Sequence, residues 1–163
     1  MTIYFYKIWQ PYGCFSNFSP HSIQIQGTYW PTVEHYYQGQ KFVGSVDQAI
    51  IPLIQAADTP EAAAALGRCI TRQLRPDWET VKIQVMRAAV LKKFLTHLDI
   101  KEILLSTGHQ TLVENSPNDY FWGCGAERTG ENHLGNILMS VRAEIRNQPI
   151  ATFDSHLWEN KLD

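Results

Sequence analysis

At 163 residues the chain has the length of one domain, and its 44% apolar and 18% charged composition is that of a globular protein able to bury a core without staples. A net charge of −2 and the lack of any strongly basic stretch give no general attraction to nucleic acid, so a bound phosphate must be held by a few placed cations. Cys14, Cys69 and Cys124 are odd in number, scattered and without a CxxC pair, which excludes a disulfide framework or structural zinc and fits a reducing cytosol. No signal region and no long apolar run is present, so a soluble cytoplasmic protein without a membrane partner is expected.

Ile3 to Tyr6 is aromatic and β-branched and predicts a strand. Pro11 to Pro20 follows, rich in turn formers yet carrying Tyr12, Phe15 and Phe18, so it must pack against something. Ile23-Gln24-Ile25-Gln26 alternates with period two, Gly27-Thr28 reads as a turn, and Tyr29-Trp30 returns as the second arm of a hairpin. That hairpin delivers the chain to a helix with Thr32 as N-cap and Val33, Tyr36 and Tyr37 as an i, i+3, i+4 stripe. Glu34 falls in the first turn, where free amides and the helix dipole favour an ionised carboxylate. As a base or a stabiliser of positive charge it is the first residue singled out, against the alternative that it only decorates a helix start.

Ser45 to Ala57 has helical potential that Pro52 should kink or divide. Thr59-Pro60-Glu61 starts a further helix that Gly67 stops, and Arg68, Arg72 and Arg75 cluster beyond it. Such a cluster either grips a phosphate or faces water. The longest helix is expected from about Asp77 to His97, with Trp78, Val81, Val85, Ala88 and Leu95 inward. Asp99 and Glu102 have capping-box spacing for a helix ending near Gly108. Thr111 to Val113 and Tyr120 to Trp122 are short strand candidates, with the pliable Gly123, Gly125 and Gly130 after them. Leu134, Ile137, Leu138, Val141 and Ile145 mark a last amphipathic helix that Pro149 ends. Together these elements predict a mainly helical α+β single domain over residues 1–149, with 150–163 as a C-terminal tail.

The six histidines include no HExxH or comparable pair, so no metal is expected, and no Rossmann or Walker spacing calls for a nucleotide cofactor. His35 reads as a helix-start residue and Cys124 as an inert thiol with no histidine placed beside it. Glu34 and Asp119, both in aromatic-rich segments, suit the oxocarbenium-like transition state of glycosidic bond cleavage.

Several stretches carry a family resemblance. They are Phe15-Ser16-Asn17-Phe18, Trp30 to Phe42, Gly67-Arg68, Leu74 to Glu79 with Lys82 and Met86, Lys93-Phe94, and Asn118 to Gly123 with Gly130, Asn132, Leu134-Gly135 and Leu138-Met139. From about Tyr4 to Arg146 the chain resembles the NADAR, or YbiA-like, family. The resemblance implies the YbiA-like fold and N-glycosidase activity, without metal or cofactor, on the bond between ribose 5-phosphate and the pyrimidine of early riboflavin-biosynthesis intermediates. It also leaves open an ADP-ribosyl glycosidase acting on guanine in nucleic acid, or a non-catalytic module that binds ADP-ribose or a nucleotide. Carried onto this sequence, it implies Glu34, Asp119 and Trp78 as catalytic, with Trp78 stacking on base or ribose. Asn17, Lys41, Arg68, Arg72, Lys82, Trp122 and Asn132 would bind a small phosphorylated ribosylamino-pyrimidine. A Schiff base between Lys41 and ring-opened ribose stays open as a second route. YbiA-like relatives often carry an acidic residue where this chain has Cys124.

Overall fold

The computed structural model describes residues 1–148; the expected tail from Ile150 lies outside them. Among the described residues the elements run β1 (Thr2–Phe5), β2 (Ile23–Ile25), β3 (Thr28–Trp30), α1 (Val33–Gln40), α2 (Ile51–Gln55), α3 (Pro60–Gly67), α4 (Trp78–Thr96), α5 (Leu98–Ser106), β4 (Thr111–Glu114) and α6 (His133–Asn147). The expected mainly helical α+β domain with short strands is what forms. Helix dominates because each sheet has two strands: β1 pairs in parallel with β4, from Thr2↔Thr111 to Phe5↔Glu114, and β2 pairs antiparallel with β3. Alternation along β1 buries Ile3 and Phe5, which face a core with Phe15, Phe94, Leu112 and Leu134. The β2–β3 turn is Gln26-Gly27, both at positive φ, one residue earlier than expected.

Helix α1 is the axle of the domain. Thr32 Oγ1 accepts the His35 amide at 3.2 Å, the cap expected from sequence, and every residue from Val33 to Gly39 is buried against α2, α3 and α4. Burying an apolar side chain such as Val33 stabilises by roughly 1.5–3 kcal/mol. Both His35 ring nitrogens are engaged, by Thr32 Oγ1 at 2.8 Å and the Ala57 carbonyl at 2.9 Å, so this histidine is structural. Gly67, at the end of α3, lies so close to α1 that a Cβ there would stand 2.1 Å from Gln38 Oε1.

Three expectations are corrected and one is narrowed. On α4 the buried face is Trp78, Met86, Ala89, Val90, Lys93 and Phe94; Val81 and Val85 are half-buried and Ala88 and Leu95 exposed. The apolar stripe misled because the true stripe contains a lysine: Lys93 Nζ donates to the Ser16 carbonyl at 2.9 Å and Ser19 Oγ at 2.6 Å, tying the 13–20 loop to the helix. Pro52 does not kink a helix; the 45–57 stretch is divided instead, a 3-10 turn at Gln48–Ile50 giving way to α2 with Pro52 in its first turn, where its missing N–H costs nothing. Helix α5 begins at Leu98, so Asp99 is inside its first turn and forms no capping box. Tyr120 to Trp122 is a loop, because the carbonyls of Tyr120, Phe121 and Trp122 accept the amides of Glu131, His133 and Leu134 instead of a strand's.

Candidate active site

Helix α1 turns Glu34, Gln38 and Lys41, an i, i+4, i+7 set, into a cavity of about 880 Å³. Asn17 and its neighbours, Arg68 after α3, Lys82 and Met86 on α4, Glu114 at the end of β4, and residues 116–122 form the other walls, with Tyr6 to Trp9 at the mouth.

Glu34 is 4% exposed, and its Oε1 accepts Gln38 Nε2 at 2.6 Å with the Arg68 guanidinium 3.8 Å away. Burial raises its carboxyl above the usual range; the Gln38 bond and the charges of Arg68 and Lys41 oppose that, and Asp119 adds to it. The helix start was expected to favour an ionised Glu34; burial instead raises the carboxyl, and Gln38 and the two cations oppose that rise. The Glu34 amide bonds the Asn17 carbonyl at 3.2 Å, which fastens the 13–20 loop to α1.

Asn17 is buried with Nδ2 on Met86 Sδ at 3.3 Å and Oδ1 without a protein partner. Lys41 Nζ reaches the Gly67 carbonyl at 3.4 Å, and burial holds the amine down to about 8 although Glu34 pulls the other way. Lys82 pairs with Glu79 at 2.6 Å and lies 4.1 Å over the Phe121 ring. Asp119 Oδ1 accepts the amides of Phe121 at 3.0 Å and Trp122 at 2.7 Å, fixing the carboxylate at the rim. Trp122 stands edge-on to Tyr37, centroids 5.4 Å apart, and contributes wall.

Three expected site residues lie off the cavity. Trp78 is 4% exposed and packs behind Tyr37, 5.1 Å between centroids, so the ring facing the cavity is Tyr37 and not Trp78. Arg72 does not line it either, and Arg75 is committed to Asp77 at 2.6 Å and 3.0 Å; of the three clustered arginines only Arg68 faces in. Asn132, at φ 52°, spends both amide atoms on β4: Oδ1 accepts the Glu114 amide at 3.0 Å and Nδ2 donates to the Leu112 carbonyl at 2.9 Å. Cys124 is buried beside Asn115 and Gly125, also off the cavity, so its thiol forms no part of the walls.

Besides Gln38 and Tyr37, which the expected site did not include, two more residues were missed. Glu114 closes β4 facing the cavity; part of its surface is open there, but Oε2 is sealed from solvent and has no partner. Burial, then Asp119 and Glu34, push its carboxyl up to about 8. An acidic residue closing an otherwise apolar strand was the available signal. Trp9, 77% exposed, stands at the mouth in a stretch with no period to mark it. Among the described residues no group of three His, Cys, Asp or Glu is disposed to hold a metal ion, and no helix is long and apolar enough to cross a membrane.

Comparison with known proteins now adds to this geometry. The NADAR domain model matches residues 4–146. The chain is 77% identical over 147 residues to an N-glycosidase of Nostoc punctiforme, covering 90% of this chain and 94% of that one. It is 51% identical over 158 residues to the chloroplastic riboflavin biosynthesis protein PYRR of Zea mays, covering 88% of this chain but 25% of the maize protein. The NMR structure of YbiA from Escherichia coli superposes with a TM-score of 0.85 at 39% identity, covering 95% of this chain and 90% of that one.

Proposed function

The chain belongs to the NADAR family and is an N-glycosidase, and from that premise we propose that it hydrolyses the C–N bond between ribose 5-phosphate and the amino-pyrimidine of an early riboflavin-biosynthesis intermediate. The observation that carries this reading is one cavity that gathers carboxylates, aromatic walls and cations: Glu34 and Asp119, Tyr37 and Trp122, and Lys41, Arg68 and Lys82. At about 880 Å³ it falls within the common range for small-molecule sites, roughly 300–1,000 Å³.

In the proposed reaction Glu34, sealed from bulk water, stabilises the positive charge that develops on the ribose and takes a proton from the attacking water. Asp119 holds ribose hydroxyls, Trp122 and Tyr37 flank the pyrimidine, and Asn17 Oδ1 accepts a ligand donor. Arg68, Lys41 and Lys82 face the phosphate. Lys41 also supports a second route. An amine held to about 8 is partly neutral near pH 7, and a neutral amine can displace the pyrimidine amine from ring-opened ribose as a Schiff base that water then hydrolyses. Reduction during turnover separates the two: an adduct of ribose-phosphate mass on Lys41 assigns the Schiff base, and unmodified Lys41 assigns direct attack by water.

The test of substrate is incubation with the phosphoribosylamino-pyrimidine and, in parallel, with ADP-ribosylated DNA. Release of ribose 5-phosphate from the first is expected. Release of ADP-ribose from the second, with the first left intact, overturns the assignment. The net charge of −2 disfavours that outcome, because nucleic-acid backbones need concentrated cations.

A further inference from the structure

We propose that Glu114 is the acid that delivers a proton to the leaving nitrogen, a role that rests on the glycosidase reading above. Its backbone is fixed on three sides. Asn132 Oδ1 takes its amide at 3.0 Å, the Cys124 amide bonds its carbonyl at 2.9 Å, and Phe5 stands opposite it in the β1–β4 ladder. Its side chain lines the cavity with Oε2 sealed from solvent and unpartnered.

The contrast with Glu34 sets the roles. Glu34 has a donor in Gln38 and a cation in Arg68, and both oppose the rise that burial gives its carboxyl. The charged groups that bear on Glu114 are Asp119, from the loop, and Glu34, from α1, and both are negative. Of the cations that line the cavity, Lys41 has the Gly67 carbonyl, Lys82 the Glu79 carboxylate and Arg68 Glu34 itself, and Lys7 lies over the Tyr6 ring. An ionised Glu114 would face two like charges with no donor to Oε2; a protonated one avoids both penalties, in a side chain that lines the cavity. Burial acts in the same direction, and with the carboxyl up at about 8 the group is neutral near pH 7. Of these two carboxyls one has a donor and a cation and the other has neither, which suits the first to the base and the second to the acid.

The step balances without a further reactant. As the C1′–N bond breaks, its electron pair stays on nitrogen and the Glu114 proton joins it, so the pyrimidine amine leaves neutral. Water adds its oxygen to the ribosyl cation and gives a proton to Glu34. That proton passes to solvent while solvent reprotonates Glu114, and the sum is one water consumed.

The experiment compares two substrates on the full chain: the phosphoribosylamino-pyrimidine, and ribose 5-phosphate bearing 4-nitrophenolate, which departs without a proton. Glu114→Gln is expected to slow the first by about 10²–10⁴-fold and the second by a few-fold at most, whereas Glu34→Gln slows both. The alkaline fall of kcat/KM on the first substrate, centred near the carboxyl's value of about 8, is expected to vanish in Glu114→Gln. Wild-type speed of Glu114→Gln on the amine, or equal loss on both substrates, overturns the proposal. Infrared spectra read the proton directly: a protonated-carboxyl band at pH 7 that Glu114→Gln removes is expected, and a wild-type protein without it overturns the proposal whatever the substrate. A wild-type protein that shows the band and cleaves the nitrophenyl compound but leaves the pyrimidine intact refutes the substrate assignment alone.

Discussion

Single residues separate what could be read in the sequence from what could not. Glu34, Lys41, Arg68, Lys82, Asp119, Asn17 and Trp122 all meet in the cavity; Glu34 and Asp119 stood out among aromatics and Arg68 in its cluster, and the others came through the family resemblance. Trp78 was assigned to the ligand by the family resemblance, and a matched position in sequence does not say which side of Tyr37 a ring occupies. With Trp78 behind Tyr37, Trp78→Phe is expected to lower Tm through lost packing while turnover at low temperature stays close to wild type. Trp122→Phe, on the cavity wall, is expected to do the reverse: little change in Tm and a clear loss of kcat/KM. Turnover lost in Trp78→Phe at unchanged Tm would put that ring back on the substrate. Glu114 escaped notice because what defines it, a sealed oxygen facing two other carboxylates, is assembled from β4, α1 and a loop and exists only after folding.

At the scale of elements, local signals did well and long-range pairing did not. The Thr32 and Thr59 caps, the hairpin and the last helix follow from residues a few positions apart. That β1 and β4 lie side by side, more than a hundred residues apart in sequence, has no local signature. The end of β4 depends on Asn132, whose left-handed φ suits asparagine and whose amide replaces a neighbouring strand. Asn132→Ala leaves two backbone groups without partners and is expected to cost about 1–3 kcal/mol. Because the lost bond is on the Glu114 amide, hydrogen exchange there should speed up more than in α4, and turnover should fall. Unchanged protection at Glu114 would deny Asn132 its hold on the strand.

The whole molecule should show opposing pH trends in stability. The Glu114 carboxyl stands at about 8 in the folded chain against an ordinary 4.5, so between those values the folded state holds a proton that the unfolded state has lost, and stability falls as pH rises. Lys93, buried among Ser16, Ser19 and the core, is held down to about 7 from an ordinary 10.5. Across that window the unfolded state holds the extra proton, so stability climbs with pH. Tm measured from pH 4.5 to 10.5 should pass through a shallow minimum near 7 to 8. Glu114→Gln should make the acid-side fall shallower, leaving the share of Glu34, and Lys93→Met the alkaline rise, leaving the share of Lys41. A profile that neither substitution reshapes would mean that both groups titrate normally.

The near-contact between Gly67 and Gln38 joins the ancestry of two positions. A methyl group at 67 would overlap the amide that holds Glu34, although Gly67 itself makes no contact with that carboxylate in the bonds described. Gly67→Ala should therefore behave as a remote lesion of the active carboxylate, slowing turnover out of proportion to its effect on Tm. Shortening residue 38 alone would open the gap but leave Glu34 without its donor, so neither position can drift by itself. Among descendants of this fold the two should be inherited as a pair, with a side chain at 67 tolerated only where 38 is small and a different residue has taken over the carboxylate.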